Sequence, residues 1–460
     1  MDKLSQIKKS SHIIYKSLEL IFNLPLINFI KGFMVKYFFF PFAEKYEKRN
    51  IRKKIKINKV YYQQNFSKRK KLQINNLIDT LQFAEKEIPF YKDLFKKIKF
   101  DPLSLNKDIN FFKKIPILTK ETILNNFDRL YTQNKQVFYS AKTGGSTGIS
   151  INVLYDKFAA DCASAITFFS RQSIGKDLDK SELHFASKFP DEAYQSRPNR
   201  EDFKCLSLNR TNIFFNSLND SDLFDIYYTL KRRRPFLIHA HPSTIYLLAL
   251  FVSKHNLNKN LFDIFESSGE LLTENVEKTI SKNLQCKVIN RYGLAEFGVV
   301  AYQRFKNSNK LYIYDSDIFA EDALVYKNNE IILTSLKNRL MPLIRYRTGD
   351  FGKINEDNNG FYISNLYGRV HDTVTIGNNT YLTHHLQDIL DHHVLNIKQF
   401  QIDSRATIPI LLLCLKNNLD KDDAENKLKK LFGNSLSIKF VGMNEFIKTG
   451  SRSKFRYIIS

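Results

Sequence analysis

Between Phe236 and Ile289 the sequence switches repeatedly between strand-like and helix-like periods, and this constrains the fold more than any other feature. The apolar run Phe236-Leu237-Ile238 leads to a segment rich in Ile245, Leu247, Leu248 and Leu250, and strand-like Leu261 to Phe265 follows. A helical stripe of Val276, Ile280 and Leu284 then precedes Lys287-Val288-Ile289, which reads as the next strand. Strands separated by helix-length crossovers pair in parallel, so the expected class is α/β with doubly wound sheets. Upstream, Leu72, Leu77, Leu81 and Ala84 recur at helical spacing until Ile88-Pro89 stops the helix. From Leu311 to Leu366 the pattern becomes strands such as Glu330 to Leu336, with Asn-rich turns at Asn328-Asn329 and Asn358-Asn359-Gly360. After Gly368 comes a small α+β unit: a strand at Ile408 to Leu415, a helix at Asp420 to Phe432 and a strand at Ser437 to Val441. The expected divisions are residues 1–60, an apolar and basic extension; 61–369, a large domain; and 370–460, a small one.

With 460 residues, 43% of them hydrophobic, the chain can bury a large core and build more than one domain. Its four cysteines, Cys162, Cys205, Cys286 and Cys414, stand far apart, which argues against a zinc site or disulfide framework and fits a cytoplasmic body. The formal charge of +24 attracts anions such as nucleotides, acidic membranes or nucleic acid. No nucleic-acid module or aromatic-basic repeat accompanies the charge, so nucleic acid is not an expected partner.

Residues 18–43 are strongly apolar, but Glu19, Lys31 and Lys36 interrupt them and Pro25 and Pro41 break them, so they read poorly as a membrane span. Lys45, Lys48, Arg49, Arg52, Lys53, Lys54, Lys56 and Lys59 follow, with only Glu47 opposing them. Two readings of residues 18–59 stand: peripheral contact with an anionic membrane surface, or an extension packed on the body beside a solvated basic helix. No small-residue cleavage site follows the apolar run, so a secretory signal is not expected.

Six segments carry candidate chemistry. Thr143, Gly144, Gly145, Ser146, Thr147 and Gly148 form a Gly-rich run before strand-like Ile151 to Tyr155. Such a run is either a plain turn or a cradle whose N–H and hydroxyl groups converge on phosphate; it lacks the terminal Gly-Lys-Ser/Thr of a Walker loop. Ser268, Gly269 and Glu270, and then Asn290 to Glu296 (NRYGLAE), each follow an expected strand, where α/β sheets bind ligands. There Tyr292 offers a plane for adenine and Glu296 a carboxylate for Mg²⁺. In Pro342 to Asp350 (PLIRYRTGD), Asp350 is placed to bind ribose hydroxyls, and Gly368-Arg369 and Lys448 to Arg456 (KTGSRSKFR) complete the series. His239 and His241, at a strand end, either are structural or touch a substrate carboxylate or polar acyl group.

In this order the segments resemble the adenylate-forming superfamily, most closely its phenylacetate-coenzyme A ligase-like branch, which includes capsular-polysaccharide biosynthesis proteins. The resemblance runs from about Leu77 to the C-terminus and includes Ala84 to Phe95 (AEKEIPFYKDLF) and Ile115 to Lys120 (IPILTK). It implies a large ATP- and acid-binding domain with a mobile lid. ATP and Mg²⁺ would activate a carboxylic acid, releasing pyrophosphate, and coenzyme A or another thiol or amine would take the acyl group. On this resemblance Thr143 to Gly148 hold phosphates, Ser268, Gly269, Glu270 and Tyr292 frame adenine, and Glu296 serves the metal. Asp350 and Arg369 bind the ribose region, and Lys454 is the mobile catalytic lysine. The sequence departs from the pattern at His371, a hinge position that is often Asp or Lys, and at Ser453, where Gly usually precedes the lysine. A catalytically silent scaffold of a membrane polysaccharide assembly is the competing expectation.

Overall fold

The computed structural model describes residues 25–142, 151–187, 200–215, 218, 220–305, 308, 310–325, 328–369, 373–377, 379–382, 386, 389–390, 393–394, 396–415, 420–449 and 454–459. The chain forms two compact units, one of Met1–Arg49, Arg171–Ser267 and Leu272–Ile289, the other of Asn50–Ser170, Ser268–Leu271 and Asn290–Ser460. In the second unit, strands β1 (Tyr139–Lys142) and β2 (Asn152–Tyr155) make an antiparallel hairpin with Lys142 opposite Asn152. The expected phosphate cradle, Thr143 to Gly148, falls between its arms and lies outside the described residues.

The first unit contains the expected alternation. β3 (Glu182–Ser187), β4 (Arg210–Phe215), β5 (Leu237–Ala240) and β6 (Ile264–Ser267) are parallel in the order β4-β3-β5-β6. Helices Arg200–Ser207, Asp220–Arg233 and Pro242–Lys254 connect them. β6 starts three residues later than the sequence suggests: Asn260 N–H donates to Asn258 Oδ1 at 2.9 Å, which holds the approach as a turn, and Leu261 and Phe262 are buried outside the ladder. Helix Glu274–Leu284 starts at the Thr273 cap and buries Val276, Ile280 and Leu284, the stripe read from sequence.

From Asn290 the second unit continues with the remainder of β7 (Lys287–Leu294), then β8 (Gly298–Tyr302), β9 (Leu311–Ile313), β10 (Ile318–Val325), β11 (Asn328–Ser335), β12 (Tyr346–Asp357) and β13 (Gly360–Arg369). They pair antiparallel in the order β10-β11-β12-β13-β9-β8-β7. The strand read at Lys287 to Ile289 runs on to Leu294 because Arg291 to Leu294 pair with β8. Asn328 and Asn329, read as a turn, open β11, whereas Asn358-Asn359 does turn between Asp357 and Gly360. Helix Phe66–Glu87 starts at the Asn65 cap, ends at Ile88 and buries Leu77, Leu81 and Ala84. Each buried leucine contributes about 1.5–3 kcal/mol.

The C-terminal part is smaller and has its own core. After the hairpin β14 (Thr373–Ile376) and β15 (Asn379–Leu382) come β16 (Ile397–Asp403), β17 (Ile410–Leu415), β18 (Ser437–Phe440), β19 (Lys448–Thr449), β20 (Lys454–Phe455) and β21 (Ile458–Ile459). The sheet order β18-β17-β16-β21 is mixed, and Phe400, Ile402, Leu411, Leu413 and Leu428 pack in one cluster with Ala424 of helix Lys421–Phe432. The molecule is therefore α/β, with a large multi-stranded part and a smaller α+β part toward the C-terminus. No helix among the described residues is long and apolar enough to cross a membrane.

Candidate functional site

Two hydroxyl–carboxylate bonds organise the candidate site, and both involve the strand that carries the RYRTGD run. Tyr346 and Asp350 stand four residues apart on β12, with an irregularity in its pairing with β11 between them. The Tyr346 hydroxyl donates to Glu296 Oε1 at 2.7 Å, and Asp350 Oδ2 accepts from the Tyr292 hydroxyl at 2.7 Å. Glu296 sits in the turn joining β7 to β8, where its backbone carbonyl accepts from the Tyr155 hydroxyl of β2. Burial, with Glu296 beside it, pushes the Tyr155 phenol upward, so it stays a donor. All five side chains are largely buried.

The backbone around them is held equally firmly. Leu118 N–H donates to Arg345 O at 2.8 Å and Arg347 N–H to Leu118 O at 2.9 Å, so the IPILTK segment flanks Tyr346 as a parallel bridge. Arg345 adopts φ 52°, sparsely populated for a side-chain-bearing residue, and is held there by Glu321 at 2.5 Å and by its own N–H to Thr334 Oγ1 at 2.8 Å. Thr348 Oγ1 donates to Ile331 O at 2.7 Å and accepts from Asp350 N–H at 3.0 Å, while Gly349 N–H donates to Glu330 at 3.0 Å. Asp350 is thus fixed from both sides.

The other expected contributors fall in the same unit. Ser268 Oγ accepts from Arg291 at 3.2 Å, and Gly269 turns the chain at φ 85°, a conformation that glycine adopts without strain. Glu270 follows and faces Lys448, whose amine burial lowers and that carboxylate partly restores. Lys448 lies in β19, opposite Phe455 of β20, and Thr449 is opposite Lys454. Lys448 and Lys454 thus belong to one hairpin, β19–β20. Arg369 is paired through its backbone with Asp350, and His371 lies outside the described residues.

His239 belongs to a separate cluster in the first unit that the sequence did not disclose. His184, His239 and Glu266 stand side by side across β3, β5 and β6. The two rings are 4.8 Å apart, and His239 Nδ1 is 2.7 Å from Glu266. Arg171 reaches Glu182 at 3.1 Å and Glu266 at 2.7 Å, and Lys176 reaches Glu182 at 3.0 Å. Burial pushes His184 down to about 3, against the pull of Glu182. Burial also opposes ionisation of Glu182, but Arg171 and Lys176 outweigh it and hold that carboxyl well below its usual range. His241 occupies the N-cap position of helix Pro242–Lys254. A cavity of about 440 Å³ lined by Lys180, Ser181, Asn209, Arg234, Phe236 and Asp263 opens at the starts of the parallel strands, the opposite end from that at which such sheets bind ligands.

Tyr155 and Tyr346 are further site residues that sequence reasoning missed. Tyr346 lies within the run Pro342 to Asp350, but only the fold shows that its hydroxyl meets Glu296.

The fold is that of the adenylate-forming acyl-coenzyme A ligases. No family model matches the chain. It is similar to Protein CapK of Staphylococcus aureus, at 21% identity over 408 residues covering 84% of this chain and 88% of the relative. Among solved structures it matches 2-hydroxyisobutyryl-CoA ligase in the postadenylation state with R3-HIB-AMP, with a TM-score of 0.66 and 16% identity over 85% of this chain and 90% of that one. The same ligase in the thioesterification state, with 2-HIB-AMP and CoA, matches at 0.55 with 17% identity over the same shares. At these identities the likeness is one of fold.

Proposed function

We propose that the protein is an enzyme that activates a carboxylic acid with ATP, forming an acyl-adenylate and releasing pyrophosphate, and then transfers the acyl group to coenzyme A or another thiol or amine. The observation that carries this reading is the tyrosine-held pair Glu296 and Asp350, in the unit that also contains the Ser268 to Glu270 turn and the Lys454 hairpin. In the first step a substrate carboxylate oxygen bonds to the α-phosphorus as the bond to the bridging oxygen breaks and pyrophosphate leaves. Two anions must meet, so the chain's contribution is alignment and neutralisation. Asp350 would accept both ribose hydroxyls with Arg369 nearby, and Ser268, Gly269, Glu270 and Tyr292 would frame adenine. Thr143 to Gly148 would hold phosphates and Lys454 would approach the α-phosphate. In the second step the acceptor attacks the acyl carbon and AMP departs.

Glu296 fits a Mg²⁺ ligand, because Mg²⁺ is commonly held by one or two carboxylates with substrate phosphates and water, and Oε2 of Glu296 makes no hydrogen bond among the described residues. Bound there, the ion would neutralise phosphate charge. Residues 370–460 would act as the lid, turning about Arg369 to His371, on the large domain of residues 61–369. The likeness to CapK supports a role in surface-polysaccharide biosynthesis; a cytoplasmic place, peripheral to the membrane through residues 18–59, rests on the apolar run and basic cluster of the sequence alone. Incubation with ATP, Mg²⁺ and a panel of carboxylic acids, read by mass spectrometry, tests the reading. One acid should yield an acyl-AMP and stoichiometric pyrophosphate; ATP hydrolysis without any adenylate would count against it.

A further inference from the structure

Residues 25–46 form one helical run in which helix Pro25–Met34, a π turn at Val35–Phe39 and helix Phe40–Tyr46 follow one another without a break. Its buried positions are Gly32, Val35, Phe40 and Glu44, spaced three, five and four. The five-residue step falls on the π turn, whose wider pitch keeps Phe40 on the same face as Val35. That face is pressed against the body: a Cβ on Gly32 would lie 2.1 Å from the Asp179 carbonyl, and Lys36 binds Asp177 at 2.8 Å. The run therefore lies along the protein surface.

The opposite face is apolar and aromatic. Phe29, Phe33, Tyr37, Phe42 and Tyr46 follow the same rhythm of four and five, with Ile30 and Phe38 between them, and Phe29 is 74% exposed and Phe42 71%. Helix Arg200–Ser207, distant in sequence, packs beside the π turn and adds Phe203, 64% exposed, and Leu206 to the surface. Soluble surfaces rarely gather so many large apolar side chains in one place. The lysines and arginines from Lys45 to Lys59 follow directly along the chain against one acidic residue, Glu47.

We propose that this two-element face, Phe29 to Tyr46 with Phe203 and Leu206, seats the protein on an anionic lipid bilayer, with the aromatic rings at headgroup depth. This deepens the peripheral placement proposed above and is independent of the adenylation chemistry. Rigid aromatics suit the interface, where an apolar body meets water, and basic residues along the same stretch complement acidic headgroups. Residues 18–24 of the stretch singled out in the sequence lie outside the described residues.

The chain contains no tryptophan, so single Phe38→Trp and Phe203→Trp variants of the full-length protein report without background. Mixed with vesicles containing phosphatidylglycerol, both emissions should shift to the blue and be quenched by brominated acyl chains, with weaker binding to pure phosphatidylcholine. A Phe33→Ser, Phe38→Ser, Phe203→Ser triple variant should lose vesicle affinity by on the order of a hundredfold while keeping its melting temperature, because all three rings are exposed. Adenylate formation in solution should be unchanged in it. Three results would overturn the proposal: neither probe shifting, only the Phe38→Trp probe shifting, or a vesicle-free, concentration-dependent shift with a doubled mass, which would assign the face to a second copy.

Discussion

Asp350 and Glu296 are both carboxylates held by a tyrosine hydroxyl, yet their expected roles differ, and so do the effects of removing them. Asp350→Ala should raise the KM for ATP about tenfold to a hundredfold, the loss of about 1.5–3 kcal/mol expected for hydrogen bonds to a charged group. Glu296→Ala should lower the rate by roughly a hundredfold at saturating ATP, because it weakens metal-assisted neutralisation and not ribose binding. Steady-state kinetics over ATP and Mg²⁺, with melting curves as a folding control, separate the two; wild-type behaviour in both would dismantle the site. Tyr292→Phe removes only the hydroxyl that positions Asp350, so KM for ATP should rise several-fold, for about 1 kcal/mol, with a smaller change in kcat. An unchanged KM would mean that the hydroxyl does not position the nucleotide.

At the scale of elements, the parallel strands of the first unit carry a pH dependence. In the unfolded chain His184 takes up a proton near 6.5 and in the fold only near 3, so between those values the unfolded state binds more protons and stability falls as pH drops. Glu182, held low, adds to the same acid lability below its ordinary value of 4.5, whereas Asp317, raised by burial to about 6, works in the opposite direction between 3.8 and 6. His184→Asn isolates the imidazole: its melting temperature should fall less than that of the wild type between pH 6.5 and 5, and parallel curves would refute the assignment. None of this network was legible beforehand. Period and turn signals located the alternation, the helix at Glu274–Leu284 and two strands of the C-terminal sheet, β17 and β18, because those depend on local spacing; β16 and β21 were not read. The juxtaposition of Arg171, Glu182, His184, His239 and Glu266 depends on the register between parallel strands, which no local pattern encodes. The candidate site shows the same division. Glu296 and Asp350 were readable as motif residues, whereas Tyr346 and Tyr155 became partners only once β12 and β2 were placed beside the β7–β8 turn.

At the scale of the whole molecule, the account rests on a lysine delivered by a hairpin of the C-terminal part. Lys454→Ala should bind ATP nearly normally but lose adenylate synthesis by on the order of a hundredfold or more, as removal of a transition-state charge partner does. Given preformed acyl-AMP, the variant should still transfer the acyl group, because on the proposed lid rotation that half-reaction would not use this side chain. Equal loss in both half-reactions would point to a structural defect instead, and full synthesis would transfer the role to Lys448, which already faces Glu270, or to Arg452. The most direct test of the central claim is exchange of labelled pyrophosphate into ATP across a panel of carboxylic acids. The account predicts Mg²⁺-dependent exchange that appears only with the cognate acid and disappears in Lys454→Ala. A protein that binds ATP yet shows no exchange with any acid, or exchanges equally well without one, would contradict it.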